Sequence, residues 1–200
     1  MTEPVIHTLF PYPLTFSSID AEFTKEELDF FDKKQEKTVK NSGNETSEDS
    51  YILNNKEMSR IFDEISEAIK FYCEKIIVLD ESATPYITQS WLNYTKNGEY
   101  HHKHSHANSV LSGVFYIHAE AGKDKIKFFK DKNQTISLKT KEFNIFNAES
   151  WWLGVKTGDL LIFPSNLTHM VETTISEKIR VSLAFNVFFK GVFGNKLELT

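Results

Sequence analysis

The sequence predicts a single, mainly β domain, a sandwich or barrel of short strands backed by N-terminal helices, and three observations carry that expectation. A chain of 200 residues at 40% hydrophobic composition fills one substantial core and leaves little for a second. From about residue 86 onward it breaks into short runs rich in Val, Ile, Phe, Tyr and Trp, separated by Gly, Asn and Pro, the signature of an all-β layer rather than of alternating βα units. Before that point, two stretches have helical period. Residues 1–85 are therefore read as helical support and 86–190 as the β core.

The first helix starts at a capping box, Thr24 with Glu27, whose side chains satisfy free N–H groups ahead of Leu28 and Phe31. The second is set by Met58, Ile61, Phe62, Ile65, Ile69, Tyr72 and Ile76, which recur every three or four residues behind Asn54 and Asn55 as candidate caps. One face of it should cover a sheet. Cys73 falls beside that face and is expected to be a buried structural thiol. Between the helices, residues 41–50 (NSGNETSEDS) carry no apolar side chain and are expected to form a mobile linker. The strands expected beyond residue 86 lie in YITQSWLNYT, SVLSGVFYIH, KIKFFK, FNIFNAESWWLGV, TGDLLIFPSN and IRVSLAFNVFF. Trp91, Trp151 and Trp152 are read as core or sheet packing in preference to a substrate mouth.

Charge and cysteine content narrow the partners. The formal net charge is −5 and the basic residues are scattered, so no stripe for a nucleic-acid backbone is evident. A lone cysteine gives no intramolecular disulfide, and neither a signal peptide nor an apolar run of about 18 residues is seen. The expectation is a cytoplasmic protein acting on a small molecule or peptide. A homodimer is compatible with the sequence, which does not fix the oligomeric state.

Four of the seven histidines, His101, His102, His104 and His106, fall within six residues, followed by His118 and, much later, His169. Residues two apart on a strand share a face, so a His-x-His pair can offer two imidazoles to one metal ion. Two such pairs overlap, His102 with His104 and His104 with His106, and spacing does not choose between them. His169 is the natural third ligand, since first-row metal sites close over long separations. In the run Ile179–Val187, alternation puts Ile179, Val181, Leu183, Phe185 and Val187 on one face and Arg180, Ser182, Ala184 and Asn186 on the other. If the polar face lines an interior, the Arg180 guanidinium needs a carboxylate, and none is evident nearby in sequence. A bound dicarboxylate would supply it.

Taken together, Trp91-Leu92-Asn93-Tyr94, Gly98-Glu99-Tyr100, His104-Ser105-His106, Leu111-Ser112-Gly113-Val114-Phe115-Tyr116, Gly158-Asp159 through Ser165, His169 and Arg180-Val181-Ser182 resemble the 2-oxoglutarate/iron(II) oxygenases of bacteria and their phages, relatives of the prolyl 4-hydroxylases. The opening Leu9-Phe10-Pro11 is similar to that family's start as well. The resemblance implies a double-stranded β-helix (jelly roll). It implies that His104, His106 and His169 are both the metal ligands and the catalytic centre, with His101 and His102 at the rim and His118 structural. It further implies Fe(II) and 2-oxoglutarate as cofactors, with Arg180 and Ser182 on the distal carboxylate and Tyr94 as a further cosubstrate contact. The implied activity is a dioxygenase, in most cases a hydroxylase, that releases succinate and CO2. Position 106 departs from the pattern, because relatives more often place a carboxylate there; Glu99 is the nearest acid that could take that part. Two other readings stay open: a three-histidine oxygenase of cupin type that needs no 2-oxoglutarate, and a non-enzymatic jelly-roll binding protein.

Overall fold

Two antiparallel sheets face each other in the computed structural model, which describes residues 2–130, 136 and 138–194. In chain order the elements are β1 (Thr15–Ser18), α1 (Lys25–Gln35), β2 (Thr38–Lys40), β3 (Glu45–Ser47), α2 (Ser59–Tyr72), β4 (Ala83–Thr95), β5 (His101–His104), β6 (Leu111–His118), β7 (Lys125–Phe129), β8 (Ser150–Gly154), β9 (Asp159–Pro164), β10 (His169–Val171) and β11 (Arg180–Gly191). The major sheet runs β1-β9-β6-β11-β4-β3-β2 and the minor sheet β5-β10-β7-β8. This is the jelly roll expected. Three of its strands come from before residue 86, so the N-terminal segment is more than helical support.

Strand alternation divides the core in two. Leu111, Phe115 and Ile117 of β6, with Leu183, Phe185 and Val187 of β11, face the helices and pack on Ile61, Ile65 and Ile69 of α2. Each of those isoleucines, fully buried, stabilises the fold by roughly 1.5–3 kcal/mol. Val114 and Tyr116, on the opposite face of β6, join Leu161, Phe163, Ile126 and Phe128 between the sheets. Gly113 lies opposite Phe185, whose ring passes 2.1 Å from where a Cβ would stand, so only glycine fits there.

Both helices form, with differences of detail. The Thr24–Glu27 capping box is complete, and Phe30 and Phe31 are buried while Leu28 is exposed. The carboxylate of Glu27 also accepts two bonds from Arg60, each 3.0 Å. Burial alone would raise the Glu27 pKa; the Arg60 and Thr24 bonds outweigh it and hold the group below its usual value. Stability from this pair is therefore present above the unfolded pKa near 4.5 and lost as pH falls through the lowered folded value. Glu27→Gln is expected to cost about 1–2 kcal/mol at pH 7 in urea unfolding, with the gap to wild type closing in acid. Asn54 and Asn55 do not cap α2: Asn54 ends one 3-10 turn, a second (Lys56–Met58) separates Asn55 from the helix, the N-cap is Met58, and Asn55 donates instead to Ile52 O and Asp49. Cys73 is buried as expected, and burial pushes its thiol up.

Residues 41–50 correct the sequence reading. They are no linker: β2 and β3 form a hairpin on the edge of the major sheet. Polar bonds replace apolar burial there. Ser47 Oγ donates to Asp49 O and accepts from Leu92 N, Asn44 Nδ2 donates to Thr95 Oγ1, and Lys34 pairs with Asp49. The tryptophans also depart from expectation. Trp151 and Trp152 are exposed on the edge strand β8, where Lys125 lies 5.4 Å above the Trp152 ring, and Trp91 faces the functional cleft.

Candidate metal centre

β5 and β10 are neighbours in the minor sheet, and their register sets His104 directly across from His169. His106 follows β5 in a turn fastened by its own N–H to Ser165 O. One ring nitrogen from each of His104, His106 and His169 lies within 4.8 Å of the others. The three sequence-predicted ligands thus converge, two from one stretch of chain and the third from a distant strand.

Their tautomers converge too. Nδ1 of His104 lies 2.7 Å from His102 O, Nδ1 of His169 lies 3.0 Å from Leu167 O, and Nδ1 of His106 lies 2.6 Å from Asn186 Oδ1. Each acceptor is an oxygen, so each Nδ1 carries the proton and donates it, leaving the Nε2 lone pair free. The Nε2 of His106 is buried with no hydrogen-bond partner. Burial, reinforced by the neighbouring imidazoles, pushes His104 down to about 4 and His169 down to about 3, and burial lowers His106 despite its bond to Asn186. All three are neutral at pH 7, the form a metal ion takes. Three neutral nitrogen donors, which no acidic side chain joins among the described residues, suit a first-row divalent ion such as Fe(II).

Behind His106 stands a chain of hydroxyls. Asn186 Oδ1 also accepts from Ser112 Oγ at 3.1 Å, and Ser112 is joined through Ser165 to Ser109. Asn186→Ala removes the acceptor that fixes the His106 ring and is expected to weaken metal affinity by roughly 10- to 100-fold, read by competition with a chromophoric chelator. Trp91 stacks on the other side of that ring, with centroids 5.7 Å apart.

The polar face of β11 turns inward, as alternation predicts. Arg180 is 2% exposed, and Ser182 and Asn186 are buried on the same face. Asp124, far from Arg180 in sequence, approaches to 3.9 Å; that corrects the expectation that no carboxylate lies near. It does not satisfy the guanidinium. Thr95 Oγ1 accepts from Nη2 at 3.2 Å, while Nε and Nη1 are buried without a hydrogen bond. Burial depresses the Arg180 pKa, opposed by Tyr116 and Asp124. A carboxylate entering here meets donors already directed and unused.

Tyr94 does not join this site. It shares a face with Leu92, lies in the core against the helices and donates its hydroxyl to Phe31 O. Tyr116 occupies the inward face instead, fully buried, its phenol held well above the usual range by burial although the Arg180 charge opposes this. Asp124, Tyr116 and Thr95 are the residues that sequence reasoning missed; strand parity alone would have found all but Asp124. Glu99 is occupied elsewhere, accepting from Lys96 N at 2.8 Å, and joins no metal-binding group among the described residues.

A jelly roll that gathers neutral imidazoles at its mouth and keeps an unsatisfied arginine inside defines a class, the metal-dependent oxygenases that take an acidic cosubstrate. Residues 89–186 match the family described as "Putative 2OG-Fe(II) oxygenase", that of the 2-oxoglutarate- and Fe(II)-dependent oxygenases. No curated protein matches the chain. Among solved structures it is similar in fold to a 2OG-Fe(II) oxygenase family oxidoreductase from Burkholderia pseudomallei, with 13% identity, a TM-score of 0.58 and coverage of 87% of this chain and 83% of that one. A Pseudomonas putida prolyl-4-hydroxylase matches at 11% identity and a TM-score of 0.58, over 88% of this chain and 92% of that one. HygX from Streptomyces hygroscopicus, solved with nickel, 2-oxoglutarate and hygromycin B, matches at 11% and 0.56, over 86% and 82%. At such identities these likenesses speak for the fold.

Proposed function

We propose that the protein hydroxylates a polar small molecule or peptide, holding Fe(II) on His104, His106 and His169 and the distal carboxylate of 2-oxoglutarate on Arg180 and Ser182. The observation that carries this reading is the shared tautomer of the three histidines, each with Nδ1 bonded to an oxygen and Nε2 left free. When bound, iron and 2-oxoglutarate supply the oxidising chemistry: dioxygen is consumed, the 2-oxo acid becomes succinate and CO2, and one oxygen atom goes to the substrate C–H bond.

The residues of the chain bind, orient and shield. Arg180 would fix the cosubstrate through Nε and Nη1, which have no hydrogen-bond partner among the described residues, and its planar fork suits a carboxylate better than an ammonium does. Beside the histidines lies a cleft of about 480 Å³, lined by Trp91, Gln89, Lys40, Thr46 and Glu48 among others. Its mixed polar wall, with one aromatic platform and charges of both signs, favours a polar substrate over a lipid. Among the described residues no helix is long and apolar enough to cross a membrane. We place the enzyme in the cytoplasm, where Cys73 stays reduced. The test is succinate formation by purified protein given Fe(II), 2-oxoglutarate and ascorbate. The expected result is slow, iron-dependent succinate release even without substrate; oxidation of a test compound without succinate would overturn the reading.

A further inference from the structure

The same strand that supplies His104 also presents His101 and His102, and one ring nitrogen from each of these three lies within 4.8 Å of the others. Simple alternation would put only His102 and His104 on one face. The pairing of β5 with β10 runs from His104↔His169 to His101↔Val171, three residues against two, so β5 carries a bulge that turns His101 onto the side of His104. The rings accordingly cluster, with His101 and His104 stacked at 4.6 Å and His102 and His104 4.8 Å apart. His102 Nδ1 is buried without a partner. His101 and His102 are half-exposed, whereas His169 is buried, and His101 lines the cleft.

We propose that His101, His102 and His104 form a second, outer metal site that captures a divalent cation and passes it inward through the shared His104. It rests on the proposed catalytic triad only in sharing His104 with it. Because Nδ1 of His104 is engaged with His102 O, that ring has one lone pair to give, and the two sites are exclusive: one ion occupies one or the other. Metal–nitrogen bonds of about 2.0–2.1 Å require the outer rings to close by a fraction of an ångström to an ångström. Nε2 of His101 now lies 3.3 Å from Asn41 Nδ2; rotating that amide, which gives up its 3.1 Å bond to Asn44 Oδ1, presents Oδ1 instead, which accepts from Nε2–H and frees Nδ1 for the metal. Moving inward, the ion exchanges two ligands, His101 and His102 for His106 and His169, and never leaves His104.

Co(II) titration, followed by d–d absorption, tests this in the full-length chain. H106Q/H169Q, which keeps only the outer set, is expected to bind Co(II) with a spectrum distinct from wild type. H101Q/H102Q is expected to bind with the wild-type spectrum but to load more slowly on rapid mixing, and H104Q to lose both forms. Circular dichroism of each metal-free variant checks the fold, and the alanine variants replace any that fails. Absence of binding in folded H106Q/H169Q, with H101Q/H102Q unchanged in spectrum and loading rate, overturns the outer site and leaves the catalytic triad standing. The reverse, binding lost in H101Q/H102Q and unchanged in H106Q/H169Q, overturns the triad and leaves the outer site.

Discussion

His169→Ala is expected to abolish turnover of 2-oxoglutarate and to remove the inner metal site, with the folded apoprotein intact. His169 alone reaches the centre from β10; His104 and His106 share one stretch of chain. The ring is buried and held in place by Nδ1 bonding to Leu167 O and by edge contact with Phe163, with centroids 4.9 Å apart. A ligand so placed binds without having to be ordered first, and two imidazoles from one stretch of chain do not replace it. Loss of a contact that merely supports a ligand costs roughly 10- to 100-fold in affinity, and loss of the ligand itself is expected to cost more. Elemental analysis after dialysis against Fe(II), alongside circular dichroism, measures both parts. Unchanged iron content and succinate yield would remove His169 from the site.

Arg180→Ala is the second large effect. The guanidinium is almost fully buried with two donor positions unused, and Asp124 at 3.9 Å makes up only part of the difference. Removing one partner of a buried charged pair costs about 2–5 kcal/mol, so affinity for 2-oxoglutarate is expected to fall by roughly 30- to 4,000-fold. Metal affinity should hold, since no ligand is touched. Arg180→Lys should recover only part of the loss, because an ammonium cannot present the paired donors of the fork. Calorimetry of 2-oxoglutarate with the Ni(II)-loaded protein separates the cases, and equal affinity in wild type and Arg180→Ala would exclude a cosubstrate role.

Much of this was legible in the sequence because strands write their two faces alternately. The face of β11 that carries Arg180, Ser182 and Asn186 is as read, and so are the helical face of Ile61, Ile65 and Ile69 and the capping box of α1. Tyr94 shows what happens when parity is set aside for resemblance. It stands two residues from Leu92 and shares its core-facing side, whereas Tyr116, in step with Ser112, points inward. The hairpin at residues 38–47 was hidden for a different reason, since side-chain bonds from Ser47 and Asn44 to β4 fix it and leave no periodicity to read. Asp124 was hidden by distance along the chain, and the bulge in β5 by lying in backbone register rather than in residue type.

The centre as drawn has three neutral donors where relatives more often combine two histidines with a carboxylate. No acidic side chain among the described residues joins His104, His106 and His169, so negative charge at the metal has to come from the cosubstrate. A structure of the protein with Fe(II) and 2-oxoglutarate, grown without oxygen, tests the account most directly. It should show iron on Nε2 of His104, His106 and His169 and the far carboxylate of 2-oxoglutarate on Arg180. Iron ligated by Glu99 or another acid in place of His106, or a cosubstrate carboxylate that avoids Arg180, would contradict it.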